Sequence, residues 1–72
     1  MKYNEFIELI NVGHEAEGRI ALHHFAIINV DNVPLIVFRG FTEEFKESNF
    51  IFGCYTLKEL FERGLVLIDD IF

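Results

Sequence analysis

The chain is short of the residues that stabilise or divide many proteins. Its 72 residues include one cysteine, one proline and no tryptophan. The single cysteine, Cys54, excludes a disulfide within the chain. The single proline, Pro34, and the lack of a linker or low-complexity tract give no sign of a domain boundary. We therefore expect one domain over residues 1–72, which needs a metal or a partner for its stability.

Basic residues and long hydrophobic runs are also scarce. Six Lys and Arg stand against twelve Asp and Glu, which gives a net charge of −6. Nucleic-acid binding needs clustered cations and is not expected. The apolar runs VPLIVF and LVLI are far too short to span a bilayer, and Glu5 and Glu8 interrupt the stretch where a signal peptide would have its apolar segment. The sequence predicts a cytoplasmic protein that binds neither nucleic acid nor membranes.

Hydrophobic residues, in contrast, are abundant. They make up 51% of the chain and include nine phenylalanines. A domain of this size has too much surface to hide all of them, so we expect some to be exposed or covered by another subunit. The phenylalanines expected near such an interface are Phe41, Phe45, Phe50 and Phe72.

Apolar spacing predicts two helices. The stretch YNEFIELINVG has the helical period, with Asn4 as the N-cap and Gly13 at the C-terminal end. In TLKELFERG, Thr56 and Glu59 have the spacing of a capping box, and Gly64 follows the last turn.

Strands are predicted where the apolar period changes to two. HEAEGRI, FAIINV and PLIVFRG form a meander, with a reversal near Ala21 to His23 and a turn in NVDNVP. FTEEFKESN is polar and is predicted as a loop or one helical turn, FIFGCY as a fourth strand with a bulge or close packing at Gly53, and LVLIDDIF as a closing strand. The predicted fold is α+β: a small antiparallel sheet of four or five strands packed with two helices, in the order α-β-β-β-β-α-β.

Metal ligation is the first chemistry to consider, because possible zinc ligands occur at His14, Glu15, Glu17, His23, His24 and Cys54. No pair has the Cys-x2-Cys spacing of a structural zinc site. In a strand, His23 and His24 point to opposite faces, so we expect one to face the core or a helix and the other to face water. No metal is expected.

Catalysis is not expected either. The apolar neighbours of Cys54 in FIFGCYT predict a buried thiol with a raised pKa rather than a nucleophile. The acidic pairs Glu15/Glu17, Glu43/Glu44 and Asp69/Asp70 are not placed across a cleft by any pattern. No glycine-rich phosphate loop is present. The sequence predicts neither an enzyme nor a cofactor.

The two ends of the chain carry a resemblance. YNEFIELINVGHEAEG, a helix that leads through Gly-His-Glu-x-Glu into a strand, and the late YTLKELFERG with a short apolar ending resemble a group of small uncharacterised proteins of Gram-positive bacteria and their phages. The similarity covers Asn4 to Glu17 and Thr56 to Phe72. The middle departs from it, because RIALHHFAIINVDNVPLIVFRGF replaces a compact hairpin. The resemblance implies an α+β domain of prophage or mobile-element origin, and no function.

Two hypotheses for function follow. The first is a small acidic protein–protein interaction module, either a homodimer or a phage-type modulator of a host protein. The second is a small metal- or ligand-binding protein that uses the histidines and nearby carboxylates. In the first, aromatic anchors and carboxylates would face a basic partner, and the predicted interaction surface consists of Phe41, Phe45, Glu43, Glu44, Glu47, Asp69 and Asp70.

Overall fold

The first helix, α1, spans Tyr3–Asn11 in the computed structural model, which describes residues 1–72. The backbone N–H of Lys2 donates to the Glu5 carboxylate at 3.4 Å. The N-cap is Lys2, directly before the first helical residue Tyr3, so the prediction of Asn4 as the N-cap is wrong. The helix stops at Gly13 as predicted, because that residue has a φ of 103°, which glycine adopts without steric cost.

The second helix, α2, spans Leu57–Glu62 and has the predicted capping box. The N–H of Glu59 donates to the hydroxyl oxygen of Thr56 at 3.2 Å, and the N–H of Thr56 donates to the Glu59 carboxylate at 2.9 Å. Gly64, with a φ of 72°, follows the last turn. The cap residues therefore fix both ends of this short helix locally.

Replacing Thr56 with alanine is expected to lower the free energy of unfolding by about 1 kcal/mol, because the N–H of Glu59 loses its acceptor. Hydrogen bonds from Thr56 also hold the pKa of the Glu59 carboxyl below its ordinary value. The stability that this carboxylate contributes is present above its unfolded pKa and is lost as the pH falls. Urea unfolding at neutral and acidic pH measures both effects. Thr56→Ser is the control, and an alanine variant as stable as the serine variant would contradict the capping role.

Five antiparallel strands form the main sheet, in the spatial order β4-β3-β2-β1-β7. A separate two-stranded hairpin pairs β5 with β6. The predicted fold class and element order are confirmed. The strands are β1 Ala16–Ile20, β2 His23–Val30, β3 Val33–Phe38, β4 Phe41–Glu44, β5 Ile51–Phe52, β6 Tyr55–Thr56 and β7 Val66–Ile71.

The turn between β2 and β3 lies where the sequence predicts it. Asp31 and Asn32 have φ values of 52° and 66°, and positive φ at both central residues is typical of a tight hairpin turn. The side chain of Asn29 accepts a hydrogen bond from the N–H of Asn32 at 3.1 Å. Two-residue turns of this kind place opposite residues of the two strands in a defined register.

The segment after β3 differs from the prediction. Arg39 and Gly40, with φ values of 54° and 83°, form a second tight turn, so FTEE pairs with β3 as strand β4. The single helical turn is the 3-10 helix Glu47–Asn49. FIFGCY is the β5–β6 hairpin rather than a strand of the main sheet, and Gly53, with a φ of 64°, lies in its turn.

The hydrophobic core lies on one face of the main sheet, which we call the inner face. It joins both helices, alternate residues of β1, β2 and β3, and two phenylalanines that follow β4. We call the opposite face of the sheet the outer face, and no residue of the core belongs to it. The core consists of Phe6, Ile7, Ile10, Ala16, Ile20, Phe25, Ile27, Ile36, Phe38, Phe45, Phe50, Leu57 and Leu60.

Candidate functional site

Apolar side chains cover the outer face along β2 and β3. They lie in three cross-strand pairs, and side chains opposite each other in an antiparallel pair share a face. Several remain substantially exposed: Ile28 is 36% exposed, Val33 38% and Val30 45%. We call this surface the outer-face strip, and it consists of Ala26 and Val37, Ile28 and Leu35, and Val30 and Val33.

The sequence analysis did not predict the outer-face strip, although the sequence pattern of β2 and β3 indicates it. An antiparallel strand with one solvated face alternates apolar and polar residues. FAIINV and VPLIVF instead carry apolar residues at consecutive positions, so both faces of each strand are apolar. The predicted interface was based on the positions of the phenylalanines, and it therefore lay after β3 rather than on β2 and β3.

Carboxylates lie beside the strip on the same face. Glu17 of β1 is directly opposite Asp70 of β7, and the bulge at this point inserts Asp69 between two paired residues of β7. Asp69 pairs with Arg19, whose Nη2 lies 3.1 Å from its Oδ1. Glu17 and Asp70 have no ion pair. Like charges placed opposite each other destabilise a sheet. We call the three carboxylates of Glu17, Asp69 and Asp70 the acidic notch.

A shallow concavity of about 390 Å³ joins the acidic notch to the outer-face strip. In register, Glu17 pairs with Ala26, and Ala26 pairs with Val37. The concavity therefore has carboxylates at one end and aliphatic side chains at the other. Its lining residues are Glu17, His24, Phe25, Ala26, Val37 and Asp69.

The predicted surface residues on β4 separate onto the two faces of that strand. Glu44 is opposite Leu35 and so lies on the outer face, where its carboxylate is 3.5 Å from Nζ of Lys46. Phe41 and Glu43 lie on the inner side at the sheet edge, and Phe41 is 70% exposed. Glu44 thus borders the outer-face strip, whereas Phe41 and Glu43 do not.

Phe45 and Phe50 were predicted near an interface, and the structure corrects both. Each is 7% exposed and belongs to the core. The N–H of Phe45 donates to the carbonyl of Pro34 at 2.8 Å, which turns the chain inward directly after β4. Phe72, in contrast, is 63% exposed as expected.

Glu47, another predicted surface residue, is engaged within the chain. It accepts a hydrogen bond from the hydroxyl of Tyr3. Burial raises the pKa of the Tyr3 phenol, and the Glu47 carboxylate raises it further. This contact ties α1 to the 3-10 helix and gives Glu47 a structural partner.

The three histidines lie apart from one another. His14 Nδ1 is 2.8 Å from the carbonyl oxygen of Phe72. The ring of His23 stands edge-on to that of Phe38 at 6.1 Å between centroids, on the inner side. His24 lies on the outer face, so the two histidines point to opposite faces as predicted, and both remain exposed. No group of three or more His, Cys, Asp or Glu side chains is placed to hold a metal ion.

Cys54 is exposed, and its predicted burial is wrong. The apolar neighbours on which that prediction was based belong to two paired strands rather than to one. Because the hairpin reverses at Gly53 and Cys54, the cysteine lies in the turn and its side chain does not enter the core.

Comparison of the chain with protein families, with curated proteins and with solved structures finds no match in any of the three. Neither helix has the length and apolar character needed to cross a membrane.

Proposed function

We propose that this chain is a small acidic protein–protein interaction module that docks through the outer face of its sheet. The observation that carries the proposal is the outer-face strip, six apolar residues in register on one face with no helix over them. Contiguous exposed apolar patches bordered by polar residues are typical of interaction sites. The carboxylates at Glu17, Asp70 and Glu44 supply that border.

Exposure of such an apolar face to water is unfavourable. Covering apolar surface contributes roughly 25 cal/mol per Å² removed from water. The inner face obtains this contribution from α1 and α2, whereas no element of the chain covers the outer face. Burial of the strip by a partner would therefore contribute a favourable free energy to binding.

The net charge of the chain favours a different protein over a second copy as the occupant of this small face. Five strands of about six residues span roughly 20 by 24 Å, or about 480 Å². A standard interface buries about 800 Å² on each partner, so this face alone makes a small interface with any partner. Two copies would also bring together equal net charges of −6, whereas a partner with basic residues around its apolar contacts is attracted.

A photo-crosslinking residue in place of Leu35, in cells that produce the chain, tests the proposal. The same residue in place of Leu22 is the matched control, because Leu22 is 90% exposed in the β1–β2 turn, away from the strip. We expect a crosslink to another protein from position 35 only, and we expect Val33→Lys to abolish it, because a charge in the strip cannot be covered without loss of solvation.

Each other result decides against the proposal. Equal crosslinking from positions 35 and 22 would show that the strip has no selective role. A product of twice the chain mass of 8.4 kDa would identify a second copy as the occupant. A crosslink that persists with Val33→Lys would place the interface elsewhere.

A further inference from the structure

We propose that the free edge of β7 binds one extended segment of another protein as an added strand of the main sheet, with a basic residue of that segment beside Asp70. We call the side of Val66–Ile71 that faces away from β1 the β7 edge. The inference goes beyond the proposed function, because it is based on the backbone of β7 and needs no side chain of the outer-face strip.

Backbone groups on the β7 edge have no partner in the chain. The strand lies at one end of the sheet and pairs only with β1. The N–H of Ala21 donates to the carbonyl of Leu65 at 2.8 Å, and successive residues of a strand direct their backbone groups to opposite sides. Leu65 and Leu67 therefore bond to β1. Val66 and Ile68 direct their N–H and C=O groups away from the sheet, and no residue of the chain bonds to them.

These outward groups select an extended segment as the occupant. An antiparallel strand exchanges both N–H···O bonds with the residue directly opposite, so it would satisfy both groups of Val66 and both groups of Ile68. A helix cannot do this, because its backbone groups bond within the helix. Addition of an extended peptide to an exposed sheet edge is a recurrent mode of recognition, in which main-chain hydrogen bonds supply affinity.

The other edge of the sheet, at β4, is less suited to strand addition. It has four residues, includes Glu43 and Glu44, and is followed by Lys46. Short length and charged side chains are features that protect sheet edges from pairing. The strand β7 has six residues and neither lysine nor proline. Its bulge at Asp69 restricts regular pairing to Val66–Ile68 and leaves that part of the edge open.

Side chains beside the edge predict the composition of the added strand. Leu67 lies on the outer face opposite Arg19 and is 52% exposed. A residue opposite Leu67 in the added strand would lie about 4.5 Å away between Cα atoms, and an apolar side chain fits there. The residue two positions earlier shares that face and comes beside Asp69 and Asp70, of which only Asp69 has an ion pair. We expect arginine or lysine at this position.

A second copy of the chain fits the β7 edge less well than a basic segment of another protein. Two copies joined at this edge would bring together equal net charges of −6. The strand β7 also contains no cation to place beside Asp70 of the other copy. Complementary charge favours the correct partner and like charge disfavours the wrong one, so the edge favours a basic strand.

A random library of peptides of about eight residues, displayed on phage, provides the probe, because this length is sufficient for one strand. Phage selected on the intact chain are depleted on the Val66→Pro variant. Proline removes the outward N–H of Val66 but leaves the bonds of Leu65 and Leu67 to β1, and it is tolerated at the first residue of an edge strand. The expected consensus is basic-x-apolar. If Val66→Pro does not fold by circular dichroism, Ile68→Pro replaces it.

Affinities of the consensus peptide then test the backbone contact. Val66→Pro is expected to weaken binding by about tenfold or more, since one hydrogen bond is lost and the added strand meets the proline ring. The matched control is Thr42→Pro, which removes an outward N–H from the β4 edge. Thr42 lies between Phe41 and Glu43, whose backbone groups face β3. This control is expected to change the affinity by less than about twofold.

Two further measurements separate strand addition from other contacts. N-methylation of the peptide at successive residues is expected to weaken binding at alternate positions only, because alternate N–H groups of the added strand face β7. Asp70→Asn is expected to weaken binding by about threefold, because a charge-assisted contact is lost. Glu62→Gln removes one charge at an exposed position of α2 and is expected to have little effect.

The opposite results would overturn the added strand. These are equal binding to Val66→Pro and the unaltered chain, equal losses with Val66→Pro and Thr42→Pro, or N-methylation losses without alternation. Light scattering of the chain alone is expected to give 8.4 kDa, and a dimer that Val66→Pro dissociates would assign the edge to a second copy instead. None of these results bears on the outer-face strip, which crosslinking from position 35 tests separately.

Discussion

Gly18→Ala is expected to lower the free energy of unfolding by about 3 kcal/mol, because the added methyl group has no space. A Cβ at this position would lie 2.4 Å from the carbonyl oxygen of Leu67 and 2.8 Å from the ring of Phe25. The carbonyl belongs to the backbone of β7, so relief would need the strand itself to move. A chain of 72 residues has about 4 to 11 kcal/mol of stability in total, so this single methyl group removes a large share of it.

Gly64→Ala is the control that separates steric exclusion from backbone conformation. Gly64 has a φ of 72° and open space around its Cβ position. Alanine there meets only the conformational cost of positive φ, about 1 kcal/mol. Gly18 has no such φ, so its cost is steric. Urea unfolding of the two variants measures the difference, and a Gly18→Ala variant no less stable than Gly64→Ala would contradict the close contact between β1 and β7.

Features that depend on neighbours in the sequence could be predicted. The capping box of Thr56 and Glu59 involves residues three apart, and Gly13 ends α1 through its own φ. The turn at Asp31 and Asn32 likewise depends on residues that tolerate positive φ. Local hydrogen bonds of this kind need no knowledge of the remaining fold.

Features that depend on strand pairing could not be predicted in the same way. In the sequence, Gly18 is an isolated glycine with no visible role. Its close contact with Leu67 arises only when β1 pairs with β7. The acidic notch has the same origin, since Glu17 and Asp70 are far apart in the sequence. Charge counting predicts an acidic protein but does not show which carboxylates face each other.

Burial of individual phenylalanines shows the same limit. Phe41 and Phe45 lie four residues apart in one polar stretch, yet Phe41 is 70% exposed and Phe45 is 7% exposed. The turn at Arg39 and Gly40 starts β4 at the sheet edge, and the chain then turns under the sheet. A signal for that turn was present in Gly40, but the polar residues after it favoured a loop.

Phe6→Ala is expected to destabilise the chain by about 3–5 kcal/mol, because a fully buried aromatic ring is lost and a cavity remains. Phe6 is 0% exposed, and its ring centroid lies 5.4 Å from that of Phe61 on α2. The ring thus joins the two helices that cover the inner face. Within a total stability of about 4 to 11 kcal/mol, such a loss removes a quarter or more of the free energy of unfolding.

Phe41→Ala makes the same chemical change at an exposed position and is the matched control. A side chain that is 70% exposed is expected to contribute less than about 0.5 kcal/mol. Urea unfolding at several protein concentrations measures both variants. If Phe41→Ala destabilised the chain as much as Phe6→Ala, and the loss depended on concentration, Phe41 would be covered in solution by a second copy, because association shifts stability by mass action. A small loss independent of concentration would instead show that the edge at β4 is free of self-association, as a module that binds a different protein requires.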